Sequence, residues 1–89
     1  MLRTIVQEDQ YTKQLSKIEA NAKRADELME GITWILAKDA GMGWRVTNES
    51  PVWMLFSNTD NADIDSLTVY YTFDSERVYL LAIEKNGSG

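Results

Sequence analysis

The chain has 89 residues, 44% of them hydrophobic and 26% charged, with a formal net charge of −5; that suits one domain with a packed core and argues against disorder. It contains no cysteine and no histidine. Their absence excludes a disulfide framework, a thiolate zinc site, a thiol nucleophile and the imidazole that usually serves as general base near neutral pH.

The opening "MLRTIVQEDQ" carries no long apolar run, so no signal peptide is expected. No stretch approaches the roughly 20 apolar residues of a membrane span, and the expectation is a soluble, cytoplasmic protein without a membrane partner. Arg3–Gln7 is β-branched and predicts a first strand. Tyr11, Leu15, Ile18 and Ala22 then recur at helical spacing, with Asp9 as the expected N-cap. Ala25, Leu28, Met29, Ile32, Ile35 and Leu36 give a stronger stripe, predicting a second helix from about Lys23 to Lys38. "DAGMG" at Asp39–Gly43 should stop it, its two glycines supplying positive φ. The helices almost abut, which predicts an antiparallel helical hairpin.

The remainder reads as strands. Gly43–Thr47 is weak and Val52–Phe56 strong, with Pro51 at the entrance where a missing N–H does little harm. In "LTVYYTFDSERVYLLAI", Leu67, Val69, Tyr71 and Phe73 share one face, and "DSER" supplies a hairpin turn. "VYLLAI" is apolar on both faces, as for a strand inside a sheet. Strict alternation puts Leu80 and Ala82 beneath the helices, with Tyr79, Leu81 and Ile83 opposite. The fold class expected is α+β: an N-terminal strand and a helical hairpin packed on a small, mainly antiparallel sheet. Residues 1–85 form the domain and 86–89 a flexible tail.

Few groups suggest chemistry. Asp60, Asp63 and Asp65 crowd one loop, but a calcium loop begun at Asn61 would need Gly where Ser66 stands and Glu where Thr72 stands. A solvated acidic loop is expected, with no metal and no cofactor. A Ser-His-Asp triad cannot be built without histidine. The acidic balance disfavours nucleic acid, whose affinity comes largely from Lys and Arg neutralising phosphates. Trp34 lies opposite the apolar stripe of its helix: either the first helix covers it or it anchors a partner, since aromatics are enriched at binding hot spots.

The order of elements, with Val69, Tyr70, Tyr71, Asp74, Val78, Leu80, Leu81 and Ile83 in the closing hairpin, resembles the RelE/ParE superfamily of bacterial toxin–antitoxin toxins. "ELMEGITWILAKDAGMGWRV" is similar to the family's second helix and glycine turn, and "PVWMLF" to its next strand. The resemblance implies a toxin held by a cognate antitoxin. Its usual activity is metal-independent mRNA endoribonuclease action at the ribosome, through activation of the RNA 2′-hydroxyl. On that pattern Arg45 and Lys85 would clamp phosphate and Tyr70 would donate or orient a proton. The chain departs from the pattern at Thr68, where many members carry arginine, at Phe56 and Ser57, where a basic residue often follows the strand, and in the tail "EKNGSG". Those departures imply weakened or lost cleavage. The alternative is a non-catalytic interaction module of the same fold, which includes binding of the gyrase-inhibitor kind. Homo-oligomerisation is not fixed by the sequence.

Overall fold

The computed structural model describes residues 2–58 and 66–86. Within them the order is β1 (Thr4–Gln7), α1 (Asp9–Ile18), α2 (Ala22–Lys38), a 3₁₀ turn (Ala40–Met42), β2 (Trp44–Arg45), β3 (Trp53–Asn58), β4 (Ser66–Phe73) and β5 (Arg77–Asn86). The strands form one sheet in the order β1-β5-β4-β3-β2. β1 runs parallel to β5 and the other pairs are antiparallel. The architecture is therefore α+β, with two helices and a mixed, mainly antiparallel sheet. Asp60, Asp63 and Asp65 lie outside the described residues, as do residues 87–89 and the side chain of Leu28. Asn86, expected in the tail, is the last residue of β5.

The helix ends differ from those expected. Glu8, not Asp9, is the N-cap of α1; it is extended and makes no side-chain cap bond. Asp9 sits inside the first turn, where a carboxylate complements the helix dipole. α2 is capped by Asn21, whose side-chain oxygen accepts the Arg24 N–H at 3.2 Å. At its other end the Asp39 N–H donates to Ile35 O at 2.8 Å, and the Asp39 carboxylate accepts the Gly41 N–H at 3.2 Å. This side-chain bond closes the turn, so left-handed backbone is not needed. No described glycine has positive φ, which corrects the expectation for "DAGMG". Gly43 is required for a different reason: a Cβ there would collide with the Met54 carbonyl oxygen and the Tyr71 hydroxyl.

The helices cover one face of the sheet. Tyr11 and Leu15 of α1 and Met29, Ile32 and Leu36 of α2 pack on Leu55, Leu67, Val69, Tyr71, Val78 and Leu80. β5 lies between β1 and β4, which explains why it is apolar on both sides. Its alternation is broken once. Tyr70 stands opposite Ala82 and Tyr71 opposite Leu80, so Leu81 has no opposite number and forms a β-bulge. The extra residue turns Ile83 onto the face of Val78 and Leu80, where all three are buried, while Leu81 and Ala82 are half-buried. The expected places of Ala82 and Ile83 are thus exchanged. Beyond the bulge, the Ile83 N–H donates to Gln14 Oε1 at 2.9 Å, which fastens this part of β5 to α1.

Candidate functional site

Residues directly opposite in neighbouring strands point to the same face, so the register locates each candidate. Arg45 is opposite Trp53, and Trp53 is opposite the buried Tyr71, which places Arg45 on the helix side at the β2 edge. Lys85 is opposite the buried Leu67, also on the helix side but near the far end of β4. Tyr70 is opposite Met54 and Ala82, on the face turned away from the helices. The structure does not bring these three side chains together.

Arg45 and Tyr70 each have a local partner. The Arg45 guanidinium lies 5.4 Å from the Trp53 ring centroid, and its Nη1 donates to Asn48 O at 3.2 Å. Trp53 is paired with Phe73 at 5.4 Å, and Arg3 lies 5.3 Å from the Phe73 centroid. Two guanidiniums from opposite edges of the sheet therefore hold one aromatic pair, a cation–π arrangement that accounts for Arg45 structurally. The Tyr70 hydroxyl donates to Glu84 Oε1 at 2.7 Å. That bond first, then slight burial and the carboxylate's negative charge, pushes the phenol above its ordinary value. The phenolic proton is thus already committed to a carboxylate. Lys85 is exposed.

The face turned away from the helices is aromatic rather than cationic. The register gathers Trp44, Met54, Phe56, Tyr70, Thr72 and Tyr79 there, with the Trp44 and Phe56 rings 6.0 Å apart. Trp44 and Phe56 are 60% and 53% exposed, far more than a core role would leave. Arg77, in one corner, is the single Lys or Arg that pairing places on this face among the described residues. Thr68 is buried in the row of Phe56 and Glu84. Such a surface has little to offer a negatively charged transition state, which needs donors or cations aimed at it. The exposure of Trp44 and Phe56 is not evident from sequence, because aromatics in a strand ordinarily signal core. The clue was that Met54 and Phe56 alternate with Trp53 and Leu55, so both faces of β3 are apolar.

Trp34 is 56% exposed and is not covered by α1. Lys38 Nζ lies 5.8 Å from its ring centroid. On one side the indole borders a groove with Ile5, Glu30, Thr33 and Ala37. On the other it borders a depression with Ile35, Lys38, Asp39 and Met42. The exposed Ile35 and Met42 extend the apolar surface around it.

Among the described residues no group of His, Cys, Asp or Glu is arranged to hold a metal ion, and no helix is long and apolar enough to cross a membrane. No protein-family model matches the chain, and no curated protein matches it.

Proposed function

We propose that the chain is a protein-binding domain, acting in the cytoplasm as the toxin-type member of a toxin–antitoxin pair whose RNA-cleaving chemistry is weak or lost. The observation that carries this reading is the separation of Arg45 and Lys85 from Tyr70 across the two faces of the sheet. A phosphate cannot meet all three, whereas Trp34 and its apolar neighbours stand ready for a protein. The element order, with two helices after the first strand, then an antiparallel run of strands whose last member lies parallel to the first, is compatible with the RelE/ParE resemblance. The expected partner is an antitoxin encoded beside this chain. mRNA on the ribosome is the substrate of the competing enzymatic reading.

Two measurements test the proposal. Trp34→Ala should weaken co-purification with the neighbouring gene product by about thirtyfold, as for a hot-spot anchor worth 2 kcal/mol. Because the indole is exposed, the melting temperature should hardly move. In a translating extract the chain should leave mRNA intact. Robust cleavage that Arg45→Ala abolishes would overturn the binding reading in favour of the enzyme.

A further inference from the structure

The groove beside Trp34 runs into a free sheet edge. Among the described residues β1 has a single neighbour, β5. The Thr4 N–H donates to Glu76 O at 2.9 Å and the Glu8 N–H to Leu80 O at 3.0 Å. In a parallel ladder these alternate residues bond to one neighbour, so Thr4, Val6 and Glu8 face β5. Ile5 and Gln7 turn their N–H and C=O groups outward, and among the described residues no strand pairs with them. Exposed edges are usually defended by Lys, Pro, a bulge or a cover. "TIVQ" has neither Lys nor Pro, and its pairing shows no bulge. The opposite edge, β2, is only two residues long.

α2 forms the upper wall beside this edge, tied to the start of β1 by the Arg3 N–H donating to Ala37 O at 2.9 Å. Two adjoining grooves, each of about 450 Å³, share Glu30 and Thr33 and run from Gln7 to Trp34. Leu15, Met29, Ile5 and Ala37 supply their apolar lining. The rim at the Gln7 end is acidic, with Asp26, Glu27 and Glu30 against Lys23 alone. Among the described residues none of those three carboxylates is ion-paired, and the pair found there is Arg24 with Glu19.

We propose that β1 receives an extended, cationic segment of a partner protein as a sixth strand. The segment bonds to the outward backbone groups of Ile5 and Gln7, sets apolar side chains into the groove as far as Trp34, and places Lys or Arg against Asp26, Glu27 and Glu30. Main-chain bonds supply affinity in such strand addition, while alternate side chains supply selectivity. A second copy of this chain is the wrong occupant, because β1-to-β1 pairing would bring two acidic rims together and like-charge juxtaposition is costly. The inference rests on the protein-binding function above and adds the conformation and charge of what is bound.

The probe is a short peptide of alternating Lys and Val, with the Glu and Val counterpart as control, followed by amide shifts in nuclear magnetic resonance. The Lys/Val peptide should bind, move the Ile5 and Gln7 amides most, and release as salt is raised. Gln7→Pro removes an outward donor while leaving Thr4, Val6 and Glu8 bonded to β5, and should weaken binding about tenfold. Should that variant fail to fold, Glu27→Lys with Glu30→Lys, on the exposed side of α2, should abolish binding of the Lys/Val peptide and admit the Glu/Val one. Equal binding of both peptides to the parent chain, shifts centred on Trp44 and Phe56, or self-association through β1 would overturn the inference. Co-purification of the neighbouring gene product that is indifferent to both the Pro and the Lys variants would sink the inference while leaving the protein-binding function standing. mRNA cleavage would remove that function first.

Discussion

The same chemical change, Tyr→Phe, should move stability in opposite directions at two buried tyrosines. The Tyr71 side chain is fully buried; its hydroxyl donates to Ala40 O at 2.6 Å and accepts the Gly43 N–H at 3.2 Å. Tyr71→Phe strands the carbonyl of a buried residue, a loss of about 1–3 kcal/mol. In a domain of this size each kcal/mol shifts Tm by roughly 4–8 °C, so a fall of about 4–24 °C is expected. Tyr11 is equally buried, yet its hydroxyl has no hydrogen-bond partner among the described residues, and burial pushes its phenol above the ordinary range. Tyr11→Phe removes an uncompensated polar atom and should stabilise the chain by about 1 kcal/mol. Thermal melts and urea titrations followed by circular dichroism would measure both variants, with unchanged urea slopes showing that the end states are the same. A matched loss in both variants would refute the reasoning, because the effect would then be lost packing rather than hydrogen-bond satisfaction.

Leu80→Ala should cost about 2–5 kcal/mol, since the side chain is fully buried, and Leu81→Ala clearly less, since Leu81 is the half-buried bulge residue; equal losses in denaturation would argue against the bulge. Gly43→Ala should destabilise by about 1–3 kcal/mol by driving Cβ into backbone, and a neutral melt would show that the turn does not pass so close to β3. Asp74 Oδ1 accepts the N–H groups of Glu76 and Arg77, both at 2.7 Å, and these bonds hold its carboxyl below the ordinary aspartate range. A depressed folded pKa gives stability that is present above the ordinary value of about 3.9 and lost as pH falls through the folded value. The acid-side decline in Tm should therefore be flatter in Asp74→Asn than in the parent; parallel declines would count against the turn's role.

Elements with one strong periodicity were legible in the sequence. The stripe from Ala25 to Leu36 marked α2, and Leu67, Val69 and Tyr71 correctly marked the buried face of β4. What escaped was information held by pairs of distant residues. The bulge at Leu81 leaves no trace in "VYLLAI", because every residue there is apolar and either phase fits. Gly43 looked like a residue chosen for its φ, but its need comes from Met54 and Tyr71, met only when the sheet closes. The placement of the candidate residues depends on such pairs as well. Arg45, Tyr70 and Lys85 were grouped by residue type, whereas their faces follow from the register with Trp53, Met54 and Leu67. Helical periodicity sets Trp34 apart from the stripe, but whether α1 covers it is decided only by how the helices pack, which leaves it exposed.

The partnership of β1 with β5 also has a consequence for biosynthesis. Arg3 Nε bonds to Asp74 O across 71 residues, and β1 has no sheet to join until β5 has been made. At about 5–20 residues per second, the ribosome needs roughly 2–10 s to go from the end of α2 to the end of β5. Throughout that interval Met29, Ile32 and Leu36 lack the sheet they pack on in the finished fold, and β1 has no strand beside it. Long-range parallel pairing of this kind forms slowly. The nascent chain thus offers chaperones and early-arriving partners a wider, more apolar surface than the finished molecule does, and α2 acquires its cover only when the strands made after it arrive.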